Sequence, residues 1–223
     1  MSPFQIFVGF DKEVRQYKPD MVVNTTDTVF WLNKAINTYV DILYKEGLTS
    51  EKNKKALEAL MVSDIVSAIT VSTVFANAYE AVVPVDMRYC LSDEAEIVIG
   101  GVTKRMPVKE ITYDKYNEKI FDPFSEHLSR YGEAFPLKLV GKGSVNGNVT
   151  LITDGTYTIT NYRINGYIKN PTLFTVATAA TITEYTQFNT NSQRDIINLA
   201  VKMYLENDSN PRYQQYKVDE TNK

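Results

Sequence analysis

Apolar positions along the chain change their period twice, and each change marks a different kind of element. Val29, Leu32, Ile36, Tyr39, Val40 and Leu43 recur at three- and four-residue intervals, the spacing of one helical stripe. Asp27 stands before them as an N-cap and Gly47 after them as a stop, which predicts a helix from 27 to about 45. A second helix is predicted from Ser50, whose hydroxyl can cap it, through Ala56, Leu57, Leu60 and Met61. Only a few residues separate the two, so the spacing predicts an antiparallel helical pair over 27–62. Trp31 lies beside the apolar stripe. Its expected role is core packing, with an interface anchor as the alternative.

From residue 65 to 191 the chain turns rich in Thr, Val, Ile and Tyr, the types that suit a pleated, half-buried surface. Ile97–Ile99 and Val102–Val108 flank Gly100-Gly101, a pair that supplies the positive φ angles of a tight hairpin turn. Val149–Thr153 and Thr156–Thr160 flank Asp154-Gly155, which predicts a second, rigid hairpin. Asn165-Gly166 reads as either a further turn or a bulge, because the Tyr162/Ile164 alternation shifts phase at Tyr167. Helical spacing returns with Ile196, Ile197, Ala200, Val201, Tyr204 and Leu205. Ser192 and Asp195 resemble a capping box at its start, and Asn207 and Pro211 end it.

Helices, then strands, then a helix argue for an α+β fold rather than alternating βαβ units. The expected architecture is an N-terminal antiparallel helical pair, central antiparallel β-sandwich-like sheets, and a C-terminal helix with an extended arm. The 223 residues are read as one structural domain, 1–223. Its parts are the helical pair (27–62), a β-rich body (65–191), a helix (192–206) and an arm (207–223). No 20–50-residue repeat and no low-complexity linker interrupts it.

Composition narrows the chemistry. A single Cys, Cys90, excludes an internal disulfide framework, and a single His, His127, excludes a His-rich metal site. A net charge of −3 argues against a dedicated nucleic-acid-binding domain, which carries a basic face. The apolar run at residues 3–10 is too short to span a membrane and lacks the preceding positive charge of a signal peptide. The expectation is a chain made and folded in a cytoplasm, with no membrane anchor.

Candidate sites fall away one by one. A Cys90–His127 nucleophile pair matches no motif around either residue, and a lone strand cysteine reads as a small core group. Gly141-Lys142-Gly143-Ser144 lacks P-loop spacing and a following helix, and reads as a hairpin loop. Asp93, Glu94 and Glu96 lack the oxygen-ligand spacing of a calcium loop and read as a solvated turn. No carboxylate pair stands out as acid and base. The expectation is a protein that is not an enzyme, with no catalytic residue, cofactor or metal. Between Gly143 and Ser192 the charges are Asp154, Arg163, Lys169 and Glu184, so a sheet face there can be buried at modest desolvation cost. In the arm, Arg212, Tyr213 and Tyr216 are residue types that anchor interfaces. These are the features of an assembly subunit, and also of a carbohydrate-binding β module.

Four short segments carry a resemblance. They are Val83-Pro84-Val85-Asp86-Met87; Glu110–Asn117 followed by Asp122-Pro123-Phe124; Tyr167-Ile168-Lys169-Asn170-Pro171; and Arg194–Glu206 followed by Pro211-Arg212-Tyr213-Gln214. In this order, over about residues 25–215, the series resembles the neck proteins of tailed phages that infect Bacteroidetes, the crAss-like phages in particular. The resemblance implies a virion structural protein, a head–tail connector. It would form a homo-oligomeric ring, dodecameric, below the portal, against an adjacent neck ring or tail proteins. Double-stranded DNA would pass through the lumen without specific binding, and no membrane would be involved. Assembly would take place in the bacterial host cytoplasm, and the protein would reside in the virion neck or tail. A tail-hub or fibre component, and a carbohydrate- or receptor-binding β module, stand as the alternatives.

Overall fold

A computed structural model describes residues 1–46, 50–140 and 148–207. Five helices, α1 (Pro3–Tyr17), α2 (Thr25–Lys45), α3 (Glu51–Leu57), α4 (Tyr116–Phe121) and α5 (Thr190–Asn207), accompany eight strands. The strands are β1 (Met61–Val71), β2 (Ala78–Val82), β3 (Met87–Ile99), β4 (Val102–Pro107), β5 (Lys109–Thr112), β6 (Leu137–Val140), β7 (Asn148–Ile152) and β8 (Thr158–Lys169). Contacts divide the chain into two compact units. One is Met1–Leu60 with the chain from Pro171 onward; the other is Met61–Asn170.

The helical unit begins earlier than the sequence reading places it. Ser2 caps α1 through a reciprocal box: its hydroxyl accepts from the Gln5 amide at 3.3 Å, and the Gln5 side chain accepts from the Ser2 amide at 2.9 Å. Pro3 at the first helical position is preset for the turn. Ile6, Phe10 and Val14 line the buried face. Helix α2 starts at Thr25 rather than Asp27, with the Asn24 side chain accepting from the Thr26 amide at 3.0 Å. Asp27 instead sits in the first turn, where its charge suits the positive end of the helix. Leu32, Ala35, Ile36 and Val40 are fully buried, each larger side chain contributing about 1.5–3 kcal/mol by leaving water.

The antiparallel pair of the sequence reading does not form. Helix α3 has seven residues, and α2 packs chiefly on α5. Ser50 stands at the N-cap of α3 without a side-chain capping bond. Helix α5 starts two residues before the predicted Ser192. Asn189 caps it by accepting from the Ser192 amide at 2.9 Å, which leaves Ser192 and Gln193 inside and removes the Ser192–Asp195 box. Trp31 is buried, edge-on to Tyr204 with ring centroids 6.1 Å apart.

The second unit is one continuous sheet in the order β4-β3-β8-β1-β2-β7-β6-β5, not a sandwich of two antiparallel sheets. It is mixed, because β5 pairs parallel to β6. Its edge strands β4 and β5 are neighbours in the chain, joined by Val108 alone. Laid flat, eight strands would hold those edges about 34 Å apart, yet two residue steps span at most about 7 Å. The sheet must therefore curl until its edges approach. Strand β8 is third from the β4 edge, pairing with β1 on one side and β3 on the other. Register shifts in β3 around Ser92 face Gly166, so Asn165-Gly166 lies within a continuous β8 beside a bulged partner. Tyr157, Ile159, Tyr162 and Ile164 point into the core with Ala95, Ile97 and Leu151.

Two further expectations are corrected here. Gly100 and Gly101 do turn β3 into β4, at φ +58° and +79°. The Val149–Thr160 segment, however, is not a hairpin: β2 and β1 lie between β7 and β8 in the sheet. The turn chemistry is present, since Asp154 accepts from the Thr156 amide at 2.8 Å and Gly155 has φ +82°. The flanking strands take other partners, with Ile152 opposite Ala78 and Ile159 opposite Ile97. The β-rich stretch also ends sooner than 191. After Pro171 the chain has no strand among the described residues, and Thr175 caps a 3₁₀ turn over Val176–Ala180.

Candidate functional site

The most polar interior feature lies inside the curled sheet. Lys138 on β6 reaches Asp93 on β3, Nζ to Oδ2 at 2.7 Å, and the Tyr162 hydroxyl on β8 donates to the same Asp93 oxygen at 2.5 Å. Five strand steps separate β3 from β6, so this ion pair crosses the interior rather than running along it. The side chains are only 8% and 12% exposed. Glu110 stands 3.5 Å from the ammonium on the open side. Burial works to lower the Lys138 pKa, but the hydrogen bond and charge of Asp93 outweigh it and hold it above the ordinary value. Burial and the same carboxylate push the Tyr162 phenol up. Cys90 sits at the margin of this group, and burial, with the Asp93 charge, raises its thiol. A raised thiol is a poor nucleophile.

The outer face of the sheet carries a second network. Glu96 accepts from Asn161 at 2.7 Å and faces Arg105 at 3.3 Å and Arg163 at 3.4 Å. Asp93, Glu94 and Glu96 therefore lie on strand β3, not on a solvated turn, with Asp93 on the inner face and Glu94 and Glu96 on the outer one. Among the described residues no group of three or more His, Cys, Asp or Glu side chains is placed to hold a metal ion.

His127 follows α4 in a loop and shares a 2.8 Å hydrogen bond, through Nδ1, with the Ser125 hydroxyl. Both are buried. Burial lowers the His127 pKa, while the charges of Asp154 and Asp122 pull the other way. Asp154 also accepts from the Ser129 amide at 2.7 Å. Burial opposes its charge, but these hydrogen bonds keep its carboxyl below the usual value. The constellation of Ser, His and Asp types is one that sequence reasoning missed, since no motif marks it. It binds the loop to the Asp154 turn. The serine and histidine sit two residues apart in one loop, and both are closed to a substrate.

The outside of the same loop is apolar. Phe121, at the end of α4, and Phe124 are each 80% exposed, and Tyr131 is fully exposed. On the helical unit, two adjoining hollows of about 450 and 280 Å³ share Tyr39, Leu43, Lys52 and Asp195. The Tyr39 hydroxyl bonds Asp195 at 3.4 Å across them. Of the segments that carry the resemblance, the first and third meet: the Asn170 amide donates to the Asp86 carbonyl at 2.6 Å, and the Tyr167 hydroxyl to the Asp86 carboxylate at 3.3 Å. Arg212, Tyr213 and Tyr216, and the Gly141–Ser144 stretch, lie outside the described residues. No helix among the described residues is long and apolar enough to cross a membrane.

No family model matches the chain, and no curated protein matches it. The labels that the resemblance suggests, from virion and portal-associated to head–tail connector and crAss-like phage, thus find no support and do not stand as an identification.

Proposed function

We propose that the chain is a non-catalytic structural subunit that closes a homo-oligomeric ring around a channel. Its suggested setting is the neck of a tailed phage, below the portal and against an adjacent ring or tail protein, with double-stranded DNA passing through. The reading is supported chiefly by one observation: the end of α4 and the loop after it, held in shape by internal bonds, present Phe121, Phe124 and Tyr131 to solvent. Isolated exposed apolar groups are ordinary. Three large aromatics within eleven residues, from the end of α4 into the loop after it, favour a surface covered by protein. The net charge of −3 suits a lumen that must not hold phosphates.

A carbohydrate- or receptor-binding β module is the second reading. The same three aromatics favour it, because they belong to the sheet unit, which is a compact unit of its own. Mass photometry of the purified chain, followed by electron microscopy, separates the two. Closed rings of one copy number are expected. A monomer up to tens of micromolar (about the concentration at which a weak interface still fills) overturns the ring reading.

A further inference from the structure

Lys138, Asp93, Glu110 and Tyr162 meet in the geometry that amide formation between two side chains needs. In water a lysine and an aspartate stay as ions, because hydration holds both charges. Inside the curl the two side chains are nearly closed to solvent, and Nζ stands 2.7 Å from Oδ2, one bond from the carboxyl carbon Cγ. Their strands fix this approach: Asp93 pairs opposite Ile164 on β8, and Lys138 opposite Leu151 on β7. A proton acceptor stands beside them. Glu110 is the partner of Lys138 in the parallel β5–β6 ladder, and its Oε2 lies 3.5 Å from Nζ. A hydrogen-bond donor stands on the other reactant, since the Tyr162 hydroxyl donates to Asp93 Oδ2 at 2.5 Å. An amine source, a carboxyl, a proton acceptor and a donor to the carboxyl oxygen are thus held in one place, where reaction needs no encounter.

We propose that Lys138 and Asp93 join in an isopeptide bond, Nζ to Cγ, in a single event that the chain performs on its own side chains. One proton passes from the Lys138 ammonium to the Asp93 carboxylate, directly or by way of Glu110. An amine then faces a carboxylic acid, and burial lowers the cost of that neutral pair relative to two ions. The Nζ lone pair attacks Cγ, and the Tyr162 hydroxyl holds the charge that develops on Oδ2. Glu110 takes a second proton from the nitrogen and passes it to the other Asp93 oxygen, which leaves as water. Of the three ammonium protons, one stays on the amide nitrogen and two leave in the water. Nothing is oxidised or reduced. The exposed side of Glu110, 62% open to solvent, gives that water an exit. The product ties β3 to β6 covalently across five strand steps, so the sheet can no longer uncurl. Until it forms, the same groups stand as the ion pair. The bond is independent of ring formation.

Intact-mass spectrometry of the full chain is the test. Wild type incubated after purification is expected to carry a rising fraction lighter by one water, about 18 Da. A tryptic digest of it is expected to contain residues 89–104 joined to residues 131–142, because an acylated Lys138 is no longer cut. Glu110→Gln, made at an exposed side chain, is expected to keep the fold and to slow the loss of water at least about tenfold. Asp93→Asn is expected to lose ammonia instead, about 17 Da, and Lys138→Arg to keep its full mass. Circular dichroism melts confirm folding. Where a core variant does not fold, the wild-type mass, the joined peptides and Glu110→Gln decide. A folded wild type that keeps its full mass overturns the proposal. So does a water loss that maps to Asp154-Gly155, where a cyclic imide would have the same mass. Loss of water at the wild-type rate in Glu110→Gln overturns the role given to Glu110.

Discussion

The two units bury polar groups in different ways. In the helical unit the buried and half-buried polar side chains Gln193 and Asn33 serve the backbone. Asn33 donates to the Phe174 carbonyl and accepts from the Phe174 amide, both at 2.8 Å. Gln193, 2% exposed, donates to the carbonyls of Tyr185 and Phe188 at 2.6 and 2.7 Å. Helices satisfy their own backbone, so such clamps are needed only where irregular chain meets them. In the sheet unit Thr153 and Ser72 also bond backbone groups, but the group inside the curl is built from side chains alone. Asp93, Lys138 and Tyr162 join strands that the ladder alone would leave five steps apart. A helix bundle can close on apolar packing; this curled sheet also has an ion pair across its interior.

The sharpest way to break that contrast is to remove one member of the ion pair. Asp93→Ala leaves the Lys138 ammonium and the Tyr162 hydroxyl buried without their acceptor. The expected cost is about 3–5 kcal/mol, read from urea denaturation. Asp93→Asn combined with Lys138→Met keeps an acceptor for Tyr162 and removes both charges, and should cost far less. Equal losses in the single and double variants would mean that the charges themselves, rather than an unpaired remnant, hold the curl.

The next largest effect lies at the turn between β7 and β8. Gly155 has φ +82°, and a Cβ there would come within 2.9 Å of the Asn77 side chain. Gly155→Val should destabilise by about 1–3 kcal/mol. Unchanged stability would show that the turn yields, and that the two strands are not pinned by it.

The same two regions differ in how much of them could be read from sequence. The stripes of α2 and α5 were legible to within a few residues, because helical period is a local property. Helix α1 was missed although Ser2, Pro3 and Gln5 spell its capping box; its run of apolar residues masks the period. In the sheet, local signals marked turns but not partners. Asp154-Gly155 was visible as a turn, and its misreading as a hairpin came from assuming that adjacent strands pair. Nothing local announces that β4 and β5, one residue apart, form opposite edges, or that Lys138 meets Asp93 forty-five positions away. The candidate surfaces were half visible. Aromatic and charged types could be counted, but exposure depends on the fold.

A smaller effect tests the helical side. Asn189→Ala should cost about 0.5–2 kcal/mol through loss of the N-cap of α5. An alanine at Asp195, the distal residue of the box first read from sequence, should not reproduce that capping loss. Thermal melts of the two variants, each made also in a Tyr39→Phe background to remove the Tyr39–Asp195 bond, measure the cap: no loss at Asn189→Ala would show that Asn189 does not hold the start of α5.

The smallest expected effect concerns a single proton. His127 is the only histidine in the chain and lies in the sheet unit, so its titration reports on that unit. Burial lowers its pKa in the folded state, with Asp154 and Asp122 opposing but not reversing the shift. The unfolded chain titrates near the ordinary value of about 6.5. Above that value both states are neutral and the stability is complete. As pH falls through it, the unfolded chain takes up a proton that the folded state resists, and stability declines. Wild type should therefore be less stable at pH 5.5 than at pH 7.5, and His127→Gln should lose most of that slope while still offering Ser125 a hydrogen-bond partner. Paired urea titrations at the two pH values measure it. The lowered carboxyl of Asp154 makes its own contribution only nearer its ordinary range, around pH 4 and below, so the window isolates the imidazole. An unaltered slope in the variant would mean that the His127 ring is not held neutral inside the loop, and that the loop is looser than its hydrogen bonds suggest.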